Sequence, residues 1–165
     1  MKLVVCALDD VAETARRHRP NGVVSLLTND QTPPPIAGEP PRLTLRFHDI
    51  AAPREGLIAP DAEAVARLLA FAEARGAGET LLLHCWMGIS RSPAAAFILA
   101  CAAHPATAEG EMAGALRRTA PFATPNPLLV SLADDHLRRR GRMVAAISGI
   151  GRGRDSVRGS PFVLA

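Results

Sequence analysis

The chain contains no tyrosine, one tryptophan and five phenylalanines among 165 residues. With aromatics this scarce and no recognised base-reading motif, nucleic-acid binding has little support, although the net charge is +3. The three cysteines, Cys6, Cys85 and Cys101, have no regular spacing, and no secretory signal precedes them. A disulfide framework is therefore not expected, and a reducing cytoplasm is. Pro93 to Ala103 is the longest apolar stretch and is too short to span a bilayer, so no membrane anchor is expected. His18, His104 and His136 lack partners at metal-ligand spacing, and no Gly-x4-Gly-Lys-Ser/Thr loop occurs. Neither a metal nor a cofactor is expected.

What is present reads as one α/β domain. Leu3 to Leu8 and Gly22 to Leu27 predict strands, and Asp9 or Asp10 caps a helix through Arg17 between them. Pro33-Pro34-Pro35 and Pro40-Pro41 keep the next segment out of any ladder. A strand ending at Phe47 follows, then a polar loop and an amphipathic helix from Asp61 to Arg75 with Val65, Leu68, Leu69 and Ala72 on one face. Thr80 to Leu83 is a short apolar run suited to a buried central strand, and Ser92 to Cys101 suits a buried helix. Thr107 to Arg118 and Pro127 to Arg140 predict two more helices. This alternation calls for a central, mainly parallel sheet flanked by helices, with ligands at the carboxyl ends of the strands. Residues 1–140 form the expected domain, and 141–165 a basic extension of uncertain structure. Its apolar Met143 to Ile147 could prolong the last helix. Its arginines read as a solvated helix end and floppy tail, or as a site for an anionic partner.

The informative stretch is Leu81-Leu82-Leu83-His84-Cys85-Trp86-Met87-Gly88-Ile89-Ser90-Arg91-Ser92-Pro93. Residues 85 to 91 fall at a strand-to-helix junction. Unpaired N–H groups of the loop and first helical turn converge there, and the helix dipole adds partial positive charge, so a phosphoryl dianion is the natural guest. Pro93 fits the first turn, where a missing N–H costs nothing. Trp86, Met87, Gly88, Ile89, Ser90 and Arg91 would line this phosphate loop. A cysteine at its mouth feels the same field, which favours the thiolate. Arg91 adds a permanent charge and a planar fork for two phosphate oxygens.

These residues resemble the His-Cys-x-x-Gly-x-x-Arg-Ser/Thr pattern of the cysteine-dependent protein tyrosine phosphatase superfamily. His84, Cys85, Gly88, Arg91 and Ser92 match its fixed positions, and Gly-Ile-Ser-Arg-Ser is closest to the compact dual-specificity branch. The Pro-Asn turn before the last helix extends the resemblance over about residues 1 to 140. A composition rich in Ala, Arg and Pro adds the expectation of a bacterial source. The resemblance implies a phosphomonoester hydrolase acting on a phosphorylated protein or small phosphomonoester, with inorganic phosphate or sulfate able to occupy the loop. Cys85 would attack phosphorus, Arg91 would stabilise the equatorial oxygens, and Ser92 would hydrogen-bond the sulfur. His84 would orient the loop and favour the thiolate.

The resemblance also implies a general acid some thirty-odd residues upstream, on a mobile loop. Asp49 fits, 36 residues before Cys85 at the end of an alternating strand. Asp61 is a rival that reads equally as a helix cap, and Glu55 is a weaker one on the same loop. Cys6 could serve as a resolving thiol for an oxidised Cys85, or could be an ordinary core residue. Trp86 and Met87 could grip an aromatic leaving group or pack beneath the loop. A loop without lysine disfavours highly phosphorylated inositides, and no phosphotyrosine-recognition loop is evident, which predicts a shallow pocket. The alternatives are a silent phosphate- or phosphoprotein-binding module, and a sulfurtransferase or arsenate reductase.

Overall fold

The computed structural model describes residues 1–164. Four parallel strands form the body of the sheet: β1 (Lys2–Ala7), β2 (Gly22–Leu27), β3 (Arg42–Arg46) and β4 (Thr80–Cys85). A short β5 (Phe162–Leu164) adds antiparallel to β1, giving the order β3-β2-β4-β1-β5. β2 is buried along its whole length and β1 and β4 along nearly all of theirs, because both faces of the sheet are covered. β3, at the edge, alternates instead, with Leu43 and Leu45 inward and Arg46 exposed.

A short 3-10 turn (Leu8–Asp10) leads into α1 (Val11–His18), which covers one face together with Ile36 of the proline-rich segment. The other face carries α2 (Ala62–Glu73), α3 (Arg91–Ala103), α4 (Glu109–Thr119), α5 (Pro127–His136) and α6 (Arg142–Ile150) over the main core. α3 is buried from Arg91 to Cys101. Its alanines let it run through the centre of the molecule, close to the sheet that it leaves by the loop after β4.

The largest difference from expectation lies at the carboxyl end. The helix predicted from Pro127 to Arg140 stops at His136, and a separate α6 begins six residues later. Arg138 and Arg140 take left-handed backbone conformations that no helix continues through. The buried Asp134 then caps the new helix. One of its carboxylate oxygens accepts from the Gly141 N–H (2.6 Å), the other from those of Met143 (2.6 Å) and Val144 (3.2 Å).

Within residues 142–164 the extension supplies two regular elements, α6 and β5. Met143, Ile147, Phe162 and Leu164 enter the main core, which gives this segment the apolar area that ordering requires. Part of the arginine run is paired rather than solvated. Arg139 lies 3.2 Å and Arg142 3.1 Å from the buried Glu109 carboxylate, and Arg139 also donates to the Cys101 carbonyl. No helix among the described residues is long and apolar enough to cross a membrane.

Asp134→Ala leaves three helix N-terminal N–H groups without their acceptor, and should lower stability by about 2 kcal/mol. Urea denaturation of both proteins measures the difference; an unchanged midpoint would mean that α6 does not depend on this cap.

Candidate active site

Cys85 ends β4 at the carboxyl edge of the sheet, and residues 86–90 form the loop into α3. Gly88 turns this loop with φ of +69°, and a Cβ there would sit 2.9 Å from the Ala7 nitrogen, so a side chain is excluded by both conformation and space. Four of the five loop carbonyls are bound from outside. The N–H of Leu8 donates to Trp86 O (3.0 Å), Gly159 to Met87 O (2.8 Å), Thr124 to Ile89 O (2.8 Å) and Asn126 to Ser90 O (3.3 Å). The N–H groups of residues 86–91, by contrast, donate to no backbone carbonyl outside the regular elements among the described residues. A loop with its carbonyls tied outward and its amides unclaimed is an anion cradle.

The side chains predicted for the site converge on this cradle. The Ser92 hydroxyl donates to Cys85 Sγ at 3.1 Å, and both residues are buried. Arg91, 3% exposed, donates through Nη1 to the Phe47 carbonyl (3.1 Å), while its buried Nε has no partner among the described residues. A guanidinium steadied on one side with an unpaired N–H on the other suits a bound oxyanion. Ser90 stands at the N-cap of α3, yet its hydroxyl makes no cap and donates instead to Asp49 Oδ1 at 2.7 Å.

Asp49 is thus brought to the phosphate loop. Asn126 Nδ2 donates to the same oxygen (2.7 Å) and to Ile50 O (3.1 Å), while Asn126 Oδ1 accepts from Leu129 N–H and caps α5. The base of the Asp49 loop is closed by His48 N–H donating to Ile58 O (2.7 Å) and Ile58 N–H donating to His48 Nδ1 (2.9 Å). Asp61 is the N-cap of α2, accepting from Ala64 N–H at 2.8 Å, and Glu55 lies exposed on the loop.

His84 is fully buried, and Nε2 lies 2.7 Å from the Ser25 hydroxyl, which ties β4 to β2. Burial, then the charges of Arg42 and Arg91, pushes its pKa down to about 3. A neutral His84 offers the thiol no cationic charge, and its observed contact is the one that joins β4 to β2.

The resolving-thiol idea for Cys6 does not fit. Cys6 packs in the small cluster under α1 with Val11 and Leu82, whereas Cys85 belongs to the main core on the other face of the sheet. Burial foremost pushes the Cys6 thiol up to about 12, an inert form. Cys101 is likewise buried and pushed up to about 12.

Trp86 projects from the loop, 58% exposed, beside a cavity of about 550 Å³ lined also by Leu8, Thr28, Asp30, Gln31 and His48. Met87 is half-buried. No grouping of three His, Cys, Asp or Glu side chains that could hold a metal occurs among the described residues.

Solved phosphatase structures share this architecture. Human DUSP28 matches at a TM-score of 0.63 with 20% identity, over 84% of this chain and 94% of its own. DUSP15 matches at 0.63 with 17% identity, over 90% and 89% respectively. Tk-PTP in its active form matches at 0.60 with 21% identity, over 81% and 88%. The fold is that of the dual-specificity and tyrosine phosphatases. No protein-family model matches the chain, and no curated protein matches its sequence. The likeness is therefore one of architecture, and the loop after β4 carries the sequence resemblance within it.

Two site contacts had little sequence signal. Ser25 lies in a continuous apolar strand, where one hydroxyl looks incidental, and only the β2–β4 register sets it opposite His84. Asn126 was legible as a turn residue; its tie to Asp49 spans 77 residues.

The neutral His84 has a measurable cost in acid. As pH falls below about 6.5 the unfolded chain protonates this residue, while the folded protein resists down to about 3. Stability is therefore full above the unfolded value and declines below it. Between pH 7 and pH 5 the wild type should lose about 2 kcal/mol more than His84→Gln. Denaturant titrations at both pH values decide it, and equal losses would contradict a neutral buried His84.

Proposed function

We propose that the protein is a cysteine-dependent phosphomonoester hydrolase of the tyrosine or dual-specificity type, working through a cysteinyl-phosphate. The observation that carries this reading is the buried Cys85 thiol beside a cradle of unclaimed amides and the unpartnered Arg91 Nε. In the first step Sγ attacks phosphorus as the P–O ester bond breaks, and Asp49 gives its proton to the departing oxygen. Arg91 and the loop amides of residues 86–91 hold the equatorial oxygens as charge builds on them. In the second step water attacks phosphorus and gives its proton to Asp49, and the P–S bond breaks. The Ser92 hydroxyl, already donating to Sγ, stabilises the thiolate that leaves.

Exposed Trp86 beside the neighbouring cavity supports an aryl ester, hence phosphotyrosine, as a substrate, with phosphoserine and phosphothreonine also able to reach an open loop. Inorganic phosphate or sulfate would occupy the same loop. The three free, buried cysteines support a cytoplasmic location. The chemistry calls on no metal or cofactor.

Hydrolysis of an aryl phosphate across pH, with chelator present, tests the reading. Wild type should turn over and Cys85→Ser should be inactive. Asp49→Asn should lose about 10²–10⁴-fold in kcat together with the limb of the pH profile that the acid controls. Phosphate binding without turnover in the wild type would instead favour a silent phosphoprotein-binding module. Arsenate reduction or sulfur transfer from thiosulfate would move the chemistry to another class.

A further inference from the structure

The segment after α6 returns to the phosphate loop. Gly153 N–H donates to Thr124 Oγ1 (3.0 Å) and Arg154 N–H to Pro121 O (2.9 Å), fastening it to the α4–α5 connection. With Ile89 and Phe122, residues of this segment including Arg152 and Arg154 line a cavity of about 420 Å³ at the loop. The Arg158 guanidinium then reaches Asp9 (3.4 Å) and Asp10 (3.1 Å), just beyond β1. Gly159 follows, buried, and its N–H donates to Met87 O at 2.8 Å. A Cβ on Gly159 would lie 2.6 Å from Gly88 O and 2.5 Å from the Phe122 ring. β5 and the edge-on contact of Phe162 with Phe122, centroids 6.1 Å apart, anchor the segment beyond.

The bond to Met87 O is placed where it matters for anion binding. Met87 C=O and Gly88 N–H belong to one rigid peptide plane, so a carbonyl held outward keeps the opposite N–H inward. Gly88, with φ of +69° and no side chain, offers little resistance of its own to rotation of that plane. Rotation would turn a carbonyl oxygen toward the anion. Among the described residues only Gly159 donates a backbone N–H to Met87 O outside the regular elements.

We infer that Arg158 and Gly159 form a strap that positions the phosphate loop, holding the Met87–Gly88 peptide with its N–H toward the anion. Gly159 is the positioning residue, glycine there because nothing larger fits between Gly88 and Phe122. Arg158 fixes the strap to the Asp9–Asp10 turn. The inference rests on the loop being the anion site, and goes beyond the phosphatase reading by giving the carboxyl-terminal segment a part in it.

The test compares wild type, Gly159→Ala, Arg158→Ala and Leu69→Ala. Leu69 borders a groove at the other end of the sheet, with Met1 and Gly76. Tungstate, a tetrahedral dianion, is titrated calorimetrically, aryl phosphate kinetics are measured, and thermal melting reports stability. Gly159→Ala should weaken tungstate binding by about tenfold, the loss of one hydrogen bond to a charged group. It should lower kcat/KM by about 10²-fold, as for a misplaced reacting group. Leu69→Ala should melt earlier yet keep wild-type affinity and kcat/KM. Unchanged tungstate affinity in folded Gly159→Ala overturns the inference, as does an equal loss in Leu69→Ala. If Gly159→Ala does not fold, Arg158→Ala decides: a severalfold loss of tungstate affinity at unchanged melting supports the strap, and no loss overturns it. A wild type that binds tungstate without turnover would sink the phosphatase reading alone, since the affinities of the variants still decide the strap.

Discussion

Everything else in the structure depends on keeping the carbonyls of one short loop turned away from its centre. A peptide group is a dipole, and six successive residues can bind an oxyanion only if their N–H ends face it. Nothing within residues 86–90 enforces this, because the loop makes no ladder and Gly88 is free to rotate. The fold enforces it by holding four of the five loop carbonyls from three segments: Leu8 just after β1 for Trp86, Gly159 of the carboxyl-terminal strap for Met87, and Thr124 and Asn126 of the α4–α5 connection for Ile89 and Ser90. Each of these is itself packed on the main core or paired in the sheet. The anion site is thus paid for by tertiary structure from three regions of the chain.

The charges beneath the loop follow the same logic. Arg91 is buried, and a buried cation without a compensating partner is costly. Among the described residues no carboxylate pairs with it; Phe47 O takes one N–H and Nε stays unclaimed. A carboxylate there would neutralise the site before substrate arrived. His84, directly preceding the thiol, is kept neutral by burial and by Arg42 and Arg91, so the floor of the site does not accumulate a second positive charge. Its hydrogen bond to Ser25 serves the strand geometry that fixes where Sγ stands.

The sheet, the strand-loop-helix unit and the cluster of Cys85, Arg91 and Ser92 were legible because each leaves a local pattern, whereas Asp49 was singled out only through the family resemblance. Apolar runs of strand length, an alanine-rich helix and a short motif are read within a dozen residues. The long-range ties were not legible for the same reason. Arg138-Arg139-Arg140 looks like a solvated helix end, yet Arg139 turns into Glu109 across 30 residues and the helix has already broken under the cap of Asp134. The three-residue β5 carries too few residues for any period, and its pairing with β1 joins the two ends of the chain. Cys6 was open to a redox role in sequence because strand residues near a site can face either side of a sheet; only the register, which pairs it with His84 while Ala7 pairs with Cys85, decides the face.

The site divides into a part that the core holds rigidly and a part that it leaves outside. Cys85, Arg91 and Ser92 are buried, and their atoms are fixed by the sheet and by α3. Asp49 is on an exposed loop, joined to the cradle by Ser90 and to the α5 cap by Asn126, both on the same carboxylate oxygen. Under the proposed mechanism, proton transfer to the departing group needs one carboxylate oxygen within reach of substrate, and both hydrogen bonds to Asp49 fall on Oδ1. Because Asn126 simultaneously caps α5, donates to Asp49 and supplies the N–H that binds Ser90 O, it links the Asp49 loop to the anion cradle through a single side chain and its backbone. Asp49 is thereby referenced to the same rigid elements that set the thiol, which is what the proposed mechanism requires if acid and nucleophile are to act on one phosphorus in one step.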